Sequence, residues 1–286
     1  MSNEFPQVRY ADADGVSIAY EVRGAGSLDV VVVPTAMASL MTATVDPVVG
    51  QLLAHVASFA RLIRFDKRGI GMSDPLVAGG APPLEQQCSD VLAVMNAVAS
   101  DRAALLGAGA AGCQVALVFA ALHPDRVAAL ILDSGCARYF AAADYPIGVP
   151  GELRDGLLDD VHDHWGDVDN PWGLFLAPGR ASDPAFAPTL ARVQQVSASK
   201  SAAVAEMRVY VDSDVRSVLP LVHASTLIMF AGDRPFLNDG GRYLADHIAD
   251  ARVATLPGAD AFPSPNNVME RMALIQEFLT GRRPTE

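Results

Sequence analysis

Between the apolar run Ala103–Leu106 and a helix-forming stretch lies Gly107-Ala-Gly-Ala-Ala-Gly112. Small residues in this pattern leave the N–H groups of a helix start open, and such groups hold a carboxylate or a developing oxyanion. The six residues also match G-x-G-x-x-G, but the dinucleotide fingerprint belongs to a first βαβ unit with an acidic residue about 20 positions on. Here several elements precede it and Asp125 falls before the next strand, although Asp133 ends that strand, so no nucleotide cofactor is expected. Cys113 is the nearest thiol. Four residues past Gly109 it points about 40° away on an ideal helix and reads as a small core cysteine. Ser134 follows the strand ending at Asp133, at the edge where open α/β sheets take ligands, and its plainer reading is a turn residue. Asp160, His162, Asp163 and His164 form a D-x-H-D-H cluster of metal-binding types. A spacing of two places the imidazoles poorly on one helix face, so a solvated turn rather than a metal site is expected.

The elements that must position these residues are written in the hydrophobic pattern. Of 286 residues 51% are apolar and 19% charged, which excludes disorder by composition and allows one large core. With 21 Lys+Arg against 33 Asp+Glu the formal charge is −12, which repels phosphate backbones and anionic lipid, so neither nucleic acid nor membrane is an expected partner. Three widely spaced cysteines suggest neither a disulfide framework nor a zinc site, and a reducing compartment is the natural reading. The acidic, polar start lacks the features of a signal peptide, and a cytoplasmic location is expected.

Val8 to Arg23 alternates around Asp14-Gly15 and predicts a β-hairpin. Asp29 to Pro34 predicts a strand buried on both faces. A helix Val48 to Phe59, a strand Arg61 to Phe65, a helix Leu84 to Ala99, a strand Ala103 to Leu106, a helix from about Gly112 to Leu122 and a strand Ala128 to Asp133 follow. From about Arg138 to Leu221 the sequence turns helical and rich in proline and glycine. The rhythm resumes with a strand Ser225 to Phe230, a helix Tyr243 to Ile248, a strand Arg252 to Leu256 and a helix Val268 to Phe278. This order predicts a doubly wound, mostly parallel sheet with antiparallel N-terminal strands. Residues 1–137 and 222–286 form the core in this reading, and 138–221 an inserted helical cap, whose Tyr139, Phe140, Tyr145, Trp165, Trp172, Phe175 and Phe186 line a pocket or form the cap's own core.

Phe65-Asp-Lys-Arg-Gly-Ile-Gly-Met-Ser-Asp74 resembles the D-x-R-G-x-G-x-S loop of the α/β-hydrolase family. Ser58 to Arg64 and Gly241 to Ile248 resemble a bacterial subgroup found alone or fused to adenylate cyclases and response regulators. The likeness runs from about Val8 to Phe278. It implies a nucleophile in G-x-S-x-G, where the strained strand-to-helix turn lifts a serine clear of the backbone. Aligned on Gly107, that position holds Gly109. It implies a histidine in a string like L-P-G-x-x-H-F, and Leu256-Pro-Gly-Ala-Asp-Ala-Phe262 puts Ala261 there. The acid position after the penultimate strand is matched by Asp233, which alone cannot generate an alkoxide. The oxyanion hole would combine the N–H of Ala110 with one from Pro34-Thr-Ala-Met37, where Thr35 replaces a glycine.

The resemblance thus implies a non-hydrolytic protein of this fold that binds a small hydrophobic or carbonyl-containing ligand among Thr35, Ala36, Met37, Ala110, Ser134 and Phe262. A regulatory or assembly role, as a homodimer or with a protein partner, accompanies that reading, and no cofactor is expected. The alternative is a divergent enzyme, a lyase, isomerase, cyclase or weak hydrolase, with Asp233, Ser134 or a cap residue as acid or base.

Overall fold

The computed structural model describes residues 7–36, 38–76 and 80–284, with residues 171–172 described by backbone alone. Asp14 (φ 57°) and Gly15 (φ 83°) make the tight turn between β1 (Arg9–Ala13) and β2 (Val16–Arg23). Asp12 Oδ1 accepts from the Gly15 N–H at 3.0 Å and fixes the reversal. β3 (Asp29–Val33), β4 (Arg61–Phe65), β5 (Ala103–Ala108), β6 (Val127–Asp133), β7 (Thr226–Ala231) and β8 (Ala251–Leu256) complete one sheet in the order β1-β2-β4-β3-β5-β6-β7-β8. β1 and β2, and β2 and β4, pair antiparallel, and the other neighbours are parallel. The expected hairpin followed by a parallel sheet is therefore what forms.

The helices are α1 (Thr42–Val45), α2 (Pro47–Phe59), α3 (Leu84–Ala97), α4 (Gly109–Leu122), α5 (Arg154–His164), α6 (Pro171–Leu176), α7 (Phe186–Ser197), α8 (Lys200–Asp212), α9 (Pro235–His247) and α10 (Val268–Thr280). Successive strand residues serve opposite cores. Val31, Ile63 and Leu105 pack with α3, α4 and α9, while Val30, Leu62 and Leu106 pack with α2 and α10. Burial on both faces is why these strands read as continuous apolar runs. α4 starts at Gly109, three residues before the expected position, because Gly109 itself (φ +62°) turns the chain sharply out of β5. α9 starts at Pro235, well before Tyr243. A proline fits the first turn of a helix, but Gly240 and Gly241 interrupt the apolar pattern that would have revealed it.

Between β6 and β7 the chain carries α5 to α8. Leu157, Trp165, Met207 and Tyr210 of this segment form a third apolar cluster with Ala36, Ala111 and Cys136 at the sheet edge. Its two ends are clasped where Arg138 bridges to Asp214 and donates to its Oδ2 at 2.9 Å. Among the described residues no helix is long and apolar enough to cross a membrane.

Candidate functional site

The β5–α4 turn sets the geometry. A Cβ on Gly112 would lie 2.3 Å from the carbonyl oxygen of Val33, so only glycine lets α4 sit this close to the end of β3. That approach brings Thr35, just beyond β3, against Gly109. A Cβ built on Gly109 would meet Thr35 Oγ1 at 3.0 Å and Thr35 Cβ at 3.3 Å. The left-handed turn of a nucleophile elbow is present, and the threonine side chain stands in the direction a residue 109 side chain would take. Ala108, the residue before α4, offers no side-chain cap, which leaves the first N–H groups of the helix to other acceptors.

Two adjoining chambers open around this turn, beneath the β6–β7 segment. Thr35, Gly109, Ala261 and Phe262 border both. The larger has a volume of about 140 Å³ and a wall that is mostly apolar, from Val32, Leu52, Leu53, Leu106 and Phe186 among others. Its charged lining residues are Asp46, Arg64, Asp133 and Arg180. The smaller, about 40 Å³, is bordered by Ala36, Ala110, Ser134, Tyr139, Met207 and Tyr210. Of the aromatic residues of the segment, Tyr139 and Phe186 thus reach a chamber, Tyr145 and Trp165 are buried within the segment, and the Trp172 side chain lies outside the described residues.

Each charge on the larger wall is held. Arg64 pairs with Glu21 at 2.5 Å and donates to the carbonyls of Ser39 and Leu40 at 3.2 and 3.1 Å. Arg180 reaches Asp46 Oδ2 at 3.4 Å and Asp183 at 3.2 Å, with its guanidinium 4.4 Å from the Phe186 ring centre. The other oxygen of Asp46 accepts from Val48 N at 2.9 Å. Asp133, at the end of β6, pairs with the fully buried Arg271 of α10. Arg271 also donates to Asn267 Oδ1 at 3.0 Å and to the carbonyl of Ala261 at 3.1 Å, so it fixes the backbone at the position where the resemblance places a histidine.

Gly109, Ala261, Thr35 and Phe262 meet at both chambers, and Ala36, Ala110 and Ser134 meet at the smaller one. Ser134 has φ +59°, and its hydroxyl lies 2.9 Å from the Ala261 carbonyl and 3.2 Å from Asp133 Oδ1. It sits in a bend just after β6 with a left-handed backbone, which is uncommon for a non-glycine residue. Met37 lies outside the described residues. Asp233 sits apart: it is exposed, its N–H donates to Gly258 O at 3.0 Å, and it borders neither chamber. His162 and Asp163 form an exposed pair at 2.8 Å, far in burial and chemistry from these walls. Cys113 is buried with its thiol donating to Gly107 O at 3.2 Å, and burial pushes its pKa well above the usual thiol value, which keeps it from acting as a thiolate.

Sequence reasoning missed Asp46, Arg64, Arg180, Asp133 and Arg271 as site residues. Two had a signal. Asp133 precedes Ser134 at the same sheet edge, and Arg271 interrupts the apolar face formed by Val268, Met272 and Ile275. Arg180 lies in a proline- and glycine-rich stretch with no period to read.

No family model matches the chain. Over 199 residues it is 29% identical to the pimeloyl-[acyl-carrier protein] methyl ester esterase of Neisseria meningitidis serogroup C, an alignment covering 67% of this chain and 76% of that protein. Among solved structures, a hydrolase from Pseudomonas aeruginosa PA01 superposes with a TM-score of 0.74 at 22% identity, covering 96% of this chain and 98% of the other. A bromoperoxidase from Bacillus anthracis superposes with a TM-score of 0.76 at 18% identity, covering 95% and 96%. Sheet order, elbow and neighbours agree: this chain has the α/β-hydrolase fold.

Proposed function

We propose that this protein binds a small, mainly apolar ligand at the elbow of an α/β-hydrolase fold and does not perform serine-hydrolase chemistry there. The observation that carries the reading is the cavity of about 140 Å³ bordered by Gly109 and Ala261, the positions the family motifs assign to nucleophile and base. Neither residue offers a group that can attack a carbonyl or move a proton. Removing a triad member leaves only what binding and an oxyanion hole supply, a loss of several orders of magnitude in rate. Among the described lining residues of the two chambers there is no histidine to activate Thr35, Ser39 or Ser134. Residues 138–221 act in this reading as the cap that closes the cavity from above, and the role is regulatory or one of assembly in the cytoplasm, as a homodimer or with a protein partner.

A second reading, a divergent enzyme with a non-serine mechanism, draws support from the esterase name of the 29% identical relative. The deciding experiment treats the purified chain with a fluorophosphonate probe and, in parallel, records native mass spectra before and after incubation with small esters, lactones and alcohols. Ligand retention with neither labelling nor product is the expected result. Covalent labelling, or conversion of any bound molecule, would overturn the binding-only reading.

A further inference from the structure

We infer that Asp133 is the polar anchor of the larger cavity and that the ligand it selects is a small neutral molecule carrying a hydroxyl or amide N–H donor on an apolar body. The inference rests on the ligand-binding reading above and gives that ligand its chemical class.

Asp133 ends a central strand, its side chain is 9% exposed, and it borders the cavity beside Gly109 and Ala261. Its Oδ1 takes the Arg271 guanidinium and lies 3.2 Å from the Ser134 hydroxyl. Among the described residues nothing donates to Oδ2. Asp46, the other carboxylate on this wall, differs in having both oxygens engaged. Oδ2 is thus the carboxylate oxygen left open beside the cavity, and a ligand donor that takes it gains about tenfold or more in affinity over an isostere without one.

Charge balance makes the ligand neutral. Arg271 pairs with Asp133, Glu21 lies between Arg64 and Arg23, and Arg180 lies between Asp46 and Asp183, so no charge on this wall lacks a counter-charge. A charged ligand would bring an uncompensated charge into an apolar enclosure, which burial penalises heavily. Size limits the body: cavities of about 150 Å³ hold one benzene, so a ligand of about six to nine non-hydrogen atoms fits.

Benzyl alcohol and anisole test this directly, because they are isomers that differ in having or lacking a donor. Their dissociation constants for the full-length chain, with those of toluene and benzoate, are measured by ligand-detected NMR titration. Benzyl alcohol is expected to bind about tenfold more tightly than anisole, with benzoate weaker than benzyl alcohol. In Asp133→Leu/Arg271→Met, which removes anchor and counter-charge together, the preference for benzyl alcohol should fall below about twofold. Asp133→Val/Arg271→Leu, which also removes both the acceptor and its counter-charge, serves as the second variant if the first double change does not fold. Absence of binding by toluene, anisole and benzyl alcohol alike overturns the ligand-binding reading itself. Equal affinities of the two isomers for the unaltered chain, tighter binding of benzoate, or a donor preference that survives loss of Asp133 overturns this inference and leaves the broader reading standing.

Discussion

Gly109→Ser restores the residue that the family motif has at the elbow, and the surroundings set its cost. Residue 109 has φ +62°, where a side chain on an L-residue costs about 1–2 kcal/mol relative to glycine. Its Cβ would stand 3.0 Å from Thr35 Oγ1 and 3.3 Å from Thr35 Cβ. Relieving that contact pushes Thr35 off its rotamer, worth about 0.5–1.5 kcal/mol. The expected loss is therefore about 1.5–3.5 kcal/mol, or roughly 2–6 °C in Tm for a chain of this size. The steric share is separable. In Thr35→Gly/Gly109→Ser the contact is gone, so a double-mutant cycle read by urea unfolding should return a coupling of about 1 kcal/mol. Neither variant should react with a fluorophosphonate, since no histidine is among the described lining residues of the chambers. An unchanged Tm for Gly109→Ser, or strict additivity with Thr35→Gly, would refute the account of Thr35 as the group occupying the nucleophile's space.

Arg271→Met leaves Asp133 as an uncompensated buried charge and frees the Ala261 carbonyl, and a loss of about 3–5 kcal/mol is expected in urea unfolding; less than about 1 kcal/mol would mean the pair is not closed in solution. Burial raises the Asp66 carboxyl from 3.8 to about 6, opposed by N–H donors from Met72 and Leu40. The folded chain then holds this proton more firmly than the unfolded one, so its contribution is full below pH ~4 and is lost as pH rises through about 6, about 3 kcal/mol in all. Comparing Asp66→Asn with the unaltered chain from pH 4.5 to 7 should expose that slope, and parallel curves would count against it. Burial pushes Cys88 and Cys136 up to about 12 and raises Cys113 well above the usual thiol value, so iodoacetamide at pH 8 should modify none of the three until urea is added. Labelling of Cys113 in the folded chain would show that the elbow opens.

The fold was legible because its strands are buried on both faces. Val30 to Val33 and Thr226 to Ala231 must be apolar throughout, which is a signal that periodicity detects without knowledge of neighbours. Gly109 was legible for a related reason: a left-handed turn packed against β3 demands small residues in a fixed string. The charged wall was not. Arg64 lies inside a strand and meets Glu21 across an antiparallel pair, and Arg180 meets Asp46 across 134 residues. Such partners are decided by tertiary packing, and no local pattern encodes them. Asp233 shows the converse, since the turn after β7 is legible in the sequence, yet the residue is exposed and lines neither chamber.

The string that carried the resemblance, Asp66 to Ser73, is occupied with holding the molecule together. Asp66 accepts from Leu40 N at 2.6 Å and Met72 N at 2.8 Å, and Ser73 Oγ donates to Asp66 O at 2.6 Å while accepting from Ala19 N at 2.9 Å. Lys67 pairs with Glu206 of α8, Arg68 with Asp90 of α3, and Gly71 N donates to Ser197 O at the end of α7. One loop thus ties the antiparallel edge of the sheet to α3 and to the segment over the cavity. Breaking one partner of a buried pair costs several kcal/mol, whichever reaction the site performs or omits. The loop is therefore under a structural constraint of its own. Gly109 and Ala261 are held by other contacts, the first by its left-handed turn against Thr35 and the second by hydrogen bonds from Arg271 and Ser134 to its carbonyl. A chain can therefore keep the string that carried the resemblance for what it does in packing, independently of what residues 109 and 261 do.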